Sequence, residues 1–161
     1  MPVEPPQHET EAPRAPNRTL VIATTNVGKT REIHHLLQDF PITIKNLSDF
    51  GPIPPVVEDG ETFEDNAYKK ASFTARVLGY PALADDSGLV VEALDGAPGV
   101  HSARYGGPEL DDPGRCRLLL ENLRDVADPD RRSARFRCVL ALAWRGKTVA
   151  DRFSSGLLSS G

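Results

Sequence analysis

Three short stretches carry side chains able to do chemistry together. The first is Ala23-Thr24-Thr25-Asn26-Val27-Gly28-Lys29-Thr30, one residue away from a phosphate-binding P-loop, with Ala23 where the first glycine of G-x-x-x-x-G-K-[ST] belongs. A strand that leaves through threonines and an asparagine into a helix offers unpaired amides, a positive helix end and one lysine, all suited to phosphate oxygens. The second is Asp85-Asp86-Ser87-Gly88. Adjacent carboxylates repel one another, and a hard divalent cation or a shared proton offsets that repulsion. The third is the acidic run Glu58, Asp59, Glu61, Glu64 and Asp65. Octahedral magnesium needs only one or two protein carboxylates, so this run supplies more than enough, and spacing alone does not choose among them.

Each stretch also has a plainer reading. Asn26 can simply cap a helix, Asp-Asp-Ser-Gly can be a turn, and most of the acidic run can be a solvated first turn. Against a true P-loop, Ala23 puts a Cβ where the backbone must turn tightly, and no apolar strand ending in a single aspartate follows. Arg104 and Tyr105, in Ser-Ala-Arg-Tyr-Gly-Gly, are further candidates, the arginine for phosphate and the ring as a packing surface. His34 and His35 are adjacent on a helix and point about 100° apart, which gives them no common ligand.

The elements that must position these residues follow from periodicity. Leu20 to Ala23 suits a buried strand, and Ile33, Leu36, Leu37 and Phe40 recur at helical spacing after it. A second strand is expected over 42–47, then an irregular proline-rich connection. Thr62 and Asp65 form a capping signal for a helix carrying Phe63, Ala67, Ala71, Ala75 and Leu78 and ending at Gly79. Residues 82–94 read as apolar strand, acidic turn, apolar strand. A helix is expected from about Arg115 to Arg124, and 134–144 with 148–153 should form an antiparallel pair. Interleaved strands and helices make the class α/β with a mixed sheet.

The 161 residues suit one domain, with 1–17 a proline-rich disordered tail. A net charge of -4 argues against a nucleic-acid-binding face, so a polyanion would have to be held locally. No apolar run has the length of a signal peptide or a membrane span, which leads to the expectation of a soluble, cytoplasmic protein with no membrane partner. Cys116 and Cys138 are expected to be buried thiols.

The stretches IATTNVGKTREI, TFEDNAYKKA and ALADDSGLVVEALDGAPGVHSARYGG resemble the inosine/xanthosine triphosphate pyrophosphohydrolase family. The resemblance implies a mixed, elongated sheet with helices, in two lobes with the nucleotide between them. It also implies a magnesium-dependent homodimer that converts ITP, dITP and XTP to the monophosphate and pyrophosphate, clearing damaged purines from nucleotide pools. By position, Thr24, Thr25, Asn26, Val27, Gly28 and Lys29 would bind triphosphate and Ser87 would contact substrate. Glu58 and Asp86 would hold magnesium, Asp86 would be the catalytic carboxylate and Asp85 a supporting acid. Members of that family continue with a glycine-rich segment and a Ser-His-Arg triplet that contact the base, whereas this chain ends in SSGLLSSG. The expectation is a hydrolase domain over 18–161 that is incomplete at its C-terminal end. The alternative is a truncated module that binds nucleotide or a partner without turnover.

Overall fold

A computed structural model describes residues 18–144, together with the backbone of 147–154; the expected tail at 1–17 lies outside the described residues. The element order is β1 (Thr19–Ile22), α1 (Val27–Leu37), β2 (Thr43–Asn46), α2 (Phe63–Leu78), β3 (Ala82–Val91), α3 (Asp112–Asn122), β4 (Ala134–Trp144) and β5 (Lys147–Ser154). The five strands form one mixed sheet in the order β2-β1-β3-β4-β5. β1 is parallel to β2 and to β3, as connections through helices require, while β3, β4 and β5 run antiparallel in turn.

α2 is the helix that builds the core. Thr62 caps it by accepting a hydrogen bond from the Asp65 amide at 3.1 Å, and Gly79 ends it in the left-handed conformation at φ 74°. Its inward stripe of Phe63, Ala67, Ala71 and Ala75 packs on Ala82 and Ala84 of β3 and on Val139, Ala141 and Ala143 of β4. Alanine against alanine lets helix and sheet approach closely, which makes every polar group left on that stripe significant. Asn66, Ser72 and Thr74 are buried there as well. Gly88 continues the same close approach, because a Cβ on it would lie 2.3 Å from the Gly99 carbonyl oxygen and 3.1 Å from the Phe63 ring.

α1 behaves differently. Its apolar spacing is helical as expected, yet it buries no residue among the described ones, and Leu36 is 69% exposed. α3 begins three residues before the expected start, because Asp111 caps it through the Gly114 amide at 2.8 Å and a proline stands in its first turn.

Two expectations are corrected. Residues 82–91 are one continuous strand with no acidic turn, since every residue from Ala82 to Val91 has a partner on β4. The long antiparallel ladder supplies the backbone hydrogen bonds that a turn would have satisfied locally. The cysteines are not buried thiols: Cys116 is exposed and Cys138 only partly covered, where burial, with Asp85 adding to it, pushes the thiol pKa up.

Candidate active site

The continuity of β3 decides where the two aspartates go. Successive side chains of a strand point to opposite faces, so Asp85 and Asp86 leave the sheet on different sides. Ala82 and Ala84 face α2, and Asp86 continues that row; Asp85 and Ser87 share the other face, beneath α1. The pair therefore does not repel across a shared turn, and each carboxylate meets its own lysine.

On the α1 face, Lys29 Nζ donates to Asp85 Oδ2 and to Ser87 Oγ, the latter at 2.7 Å. Asp85 is 3% exposed, so its charge is almost fully withdrawn from water and the ammonium beside it offsets that cost. Lys29 sits in the first turn of α1, whose N-terminus is held by Asn26: its Oδ1 accepts from the Lys29 amide at 3.1 Å. Thr24 Oγ1 in turn accepts from the Asn26 amide at 3.2 Å. The P-loop turn is absent for a visible reason. Ala23 is buried and its amide donates to the Leu83 carbonyl at 2.7 Å, so the chain stays extended where a P-loop would bend.

On the α2 face, Lys70 reaches Glu58 Oε1 at 2.9 Å and Asp86 Oδ1 at 3.8 Å. Asp86 Oδ2 is buried and has no hydrogen-bond partner. Burial is the largest influence on this carboxyl and pushes its pKa above the ordinary carboxylate range; Lys70 and Asn66 oppose that shift, and Glu58 and Asp85 add to it. An isolated buried carboxylate oxygen beside a second carboxylate is a donor set that accepts a hard cation, and the ammonium of Lys70 already occupies the region of negative potential between them. Glu58 and Asp86 thus fit magnesium, which needs no more than two protein carboxylates. Among the described residues no cluster of three or more metal-ligating side chains occurs.

The structure also sorts the acidic run. Glu58 points to the site, Asp59 pairs with Lys69, and Glu64 pairs with Arg137 of β4. Lys69 holds Asp59 below the ordinary carboxylate range, so Asp59 is occupied outside the site. Thr24, Thr25, Glu58, Lys70 and Thr74 line one cavity of about 310 Å³, and a second of about 600 Å³ lies beside Thr24, Thr25, Val27 and Thr30. The expected phosphate loop and the expected metal ligand thus share a cavity, while Lys29 is turned toward Asp85 and Ser87. Arg104 supports its surroundings: Nη2 donates to the Glu58 carbonyl at 3.2 Å. The Tyr105 hydroxyl accepts from Asn122 at 2.6 Å.

Lys70 and Asn66 did not emerge from the sequence as site residues. A signal was present, because both stand at core-facing positions of an otherwise alanine-rich stripe, where a polar side chain needs a buried partner.

The Ham1 family matches residues 20–158. This chain belongs to the Ham1 family. It is 64% identical over 124 residues to a dITP/XTP pyrophosphatase of Syntrophobacter fumaroxidans, covering 77% of this chain and 52% of that protein. It is 54% identical to the dITP/XTP pyrophosphatase of Desulfotalea psychrophila, covering 79% and 56% of the two chains. Among solved structures it resembles a HAM1 protein from Coxiella burnetii, with a TM-score of 0.79 and 41% identity over 87% of this chain and 70% of that one. A nucleoside-triphosphatase/dITP/XTP pyrophosphatase from Mycobacterium abscessus gives a TM-score of 0.74 at 36% identity, over 86% and 71%. The chain spans about half the length of the two curated relatives from Syntrophobacter fumaroxidans and Desulfotalea psychrophila. In this chain Asp86, Glu58 and Lys70 lie on one side of the sheet and Lys29, Asp85 and Ser87 on the other.

Proposed function

We propose that this Ham1-family chain carries out magnesium-dependent hydrolysis of non-canonical purine nucleoside triphosphates, ITP, dITP and XTP, to the monophosphate and pyrophosphate. The observation that carries the reading is the unpartnered, buried Asp86 Oδ2 beside Glu58 and Lys70, next to a cavity shared with Thr24 and Thr25. The names of the relatives, dITP/XTP pyrophosphatases, supply the substrate class. The proposal includes a homodimer, a cytoplasmic location and a nucleotide lying between two lobes. No described helix is long and apolar enough to cross a membrane.

In this reading the hydroxyls of Thr24 and Thr25, with the backbone amides of Val27 and Gly28 and that of Asn26 once it leaves Thr24 Oγ1, take the phosphate oxygens at the positive end of α1. Lys29 steadies the leaving pyrophosphate from its seat on Asp85 and Ser87, and Ser87 contributes its hydroxyl to the same end of the substrate. Magnesium, held by Glu58 and Asp86, would supply neutralisation of phosphate charge. Asp86 accepts a hydrogen bond from the attacking water and directs it toward the α-phosphorus. Its raised pKa makes it a better proton acceptor than an ordinary aspartate, whose pKa is about 3.9. Asp85, already paired, acts through Lys29 as a positioning residue.

The test is the first product. Purified protein with magnesium and ITP should release IMP and pyrophosphate in equal amounts. Initial release of IDP and orthophosphate would overturn the reading. Magnesium-dependent binding of ITP without any turnover would favour a nucleotide-binding module instead.

A further inference from the structure

Glu58 and Asp86 come from unlike supports, one an irregular loop and the other the middle of a five-stranded sheet. A loop carboxylate can serve a site shared with a strand carboxylate only if something sets the distance between their backbones. The side chain of Asn66 lies where that link is needed. It is 1% exposed, in the first turns of α2, one helical turn before Lys70. Its Oδ1 accepts from the Gly60 amide at 2.8 Å and its Nδ2 faces the Gly60 carbonyl at 3.4 Å, so one carboxamide grips both polar groups of a single loop residue.

The grip is tight enough to exclude a side chain. A Cβ on Gly60 would lie 2.6 Å from Asn66 Oδ1 and 2.7 Å from the Asp65 Cβ. The helix that carries Asn66 is itself fixed on the face of β3 that bears Asp86, through Ala67, Ala71 and Ala75 against Ala82 and Ala84. Asn66 therefore joins the loop two residues past Glu58 to the helix that lies on the Asp86 face of the sheet. Arg104 holds the loop at the Glu58 carbonyl from outside, but no described contact joins Arg104 to Asp86.

We infer that Asn66 is a positioning residue for the cation site: its buried carboxamide ties the Gly60 backbone to the Asp86 face of the sheet and so sets the separation of Glu58 and Asp86. The inference rests on the function proposed above for the same site. It differs from a packing role because an asparagine on an alanine stripe adds little apolar burial, while both polar ends of its carboxamide engage the Gly60 backbone.

The test uses Mn2+ as the probe, binding to the full chain without nucleotide and followed by water-proton relaxation, beside the magnesium dependence of ITP hydrolysis. Asn66→Ala should weaken Mn2+ binding about tenfold or more, as is usual for residues that orient metal ligands. The magnesium midpoint of hydrolysis should rise in parallel, with ITP binding in EDTA within about twofold of the wild type. Gly60→Ala leaves the α2 stripe intact and serves where Asn66→Ala fails to fold; it should give the same selective loss. Unchanged Mn2+ binding in folded Asn66→Ala or Gly60→Ala, with a wild type that binds the ion and hydrolyses ITP, would overturn the positioning role and leave the proposed function standing. A wild type that binds no Mn2+ and makes no pyrophosphate would overturn both.

Discussion

The two faces of β3 at residues 85 and 86 hold the same pair of residue types, an aspartate and a lysine, in opposite conditions. On the α1 face Asp85 is nearly inaccessible and bonded to Lys29. On the α2 face Lys70 sits 2.9 Å from Glu58 but 3.8 Å from Asp86, and one oxygen of Asp86 has no partner. A buried carboxylate with its donors in place stabilises a local arrangement; one that lacks them stores a cost that a ligand can relieve. Neighbouring residues of identical type thus divide into a paired carboxylate and an incompletely paired one, and the division follows from the alternation of a strand.

The sharpest way to break that contrast is to neutralise each aspartate in turn. Asp86→Asn should lower the rate of pyrophosphate release by about 10³-fold, the scale of a positioned acid or base, while leaving thermal stability equal or higher. The sign follows from the direction of its pKa. A carboxyl whose folded pKa is raised contributes stability that is fully present below the ordinary carboxylate range and is lost as pH rises through the raised value. At neutral pH the ionised Asp86 is therefore a cost that asparagine removes. A melting temperature well below that of the wild type would contradict the assignment of the two faces.

The pH profile is the next measure. Magnesium competes with a proton at Asp86, so Mn2+ or Mg2+ affinity should fall by about tenfold per pH unit once the pH drops below the raised pKa of Asp86. Over the same range the wild type should gain stability relative to Asp86→Asn. Metal affinity that stays flat through the region above the ordinary carboxylate pKa would mean that Asp86 is not a ligand.

Asp85→Asn should behave in the reverse sense, losing about 1–2 kcal/mol of stability as Lys29 keeps its charge without its partner, less than a fully buried pair would lose because Lys29 is partly solvated. Its effect on turnover should be smaller than that of Asp86→Asn and should fall mainly on KM, measured with ITP. The smallest expected effect is at the cap of α2. Thr62→Ala should cost about 1 kcal/mol in denaturant unfolding without altering the contrast between the two aspartates.

Much of the local structure was legible because it depends on local physics. The cap at Thr62, the stop at Gly79, the apolar stripe of α2 and the strand-to-helix loop capped by Asn26 are set by residues within a turn of one another. So was the reason against a P-loop, since a Cβ at position 23 is a property of one residue. Three features were not legible. An acidic pair followed by serine and glycine reads as a turn in isolation, and only the ladder from β4 makes it a strand. The helical spacing on α1 implies a buried face, but burial needs a neighbour, and the described residues cover that face only in part, leaving Ile33 and Leu37 half-buried. Lys70 and Asn66 are ordinary helix residues until α2 is laid on the sheet.

The sequence by itself determined which chemistry was available: carboxylates, a lysine at a helix start, and the family to which they belong. Tertiary structure decided which carboxylate is free to use that chemistry. The reason is geometric, because two adjacent residues of a strand face opposite sides of the sheet, and what each meets depends on helices whose positions are set by packing over distances that no local spacing encodes.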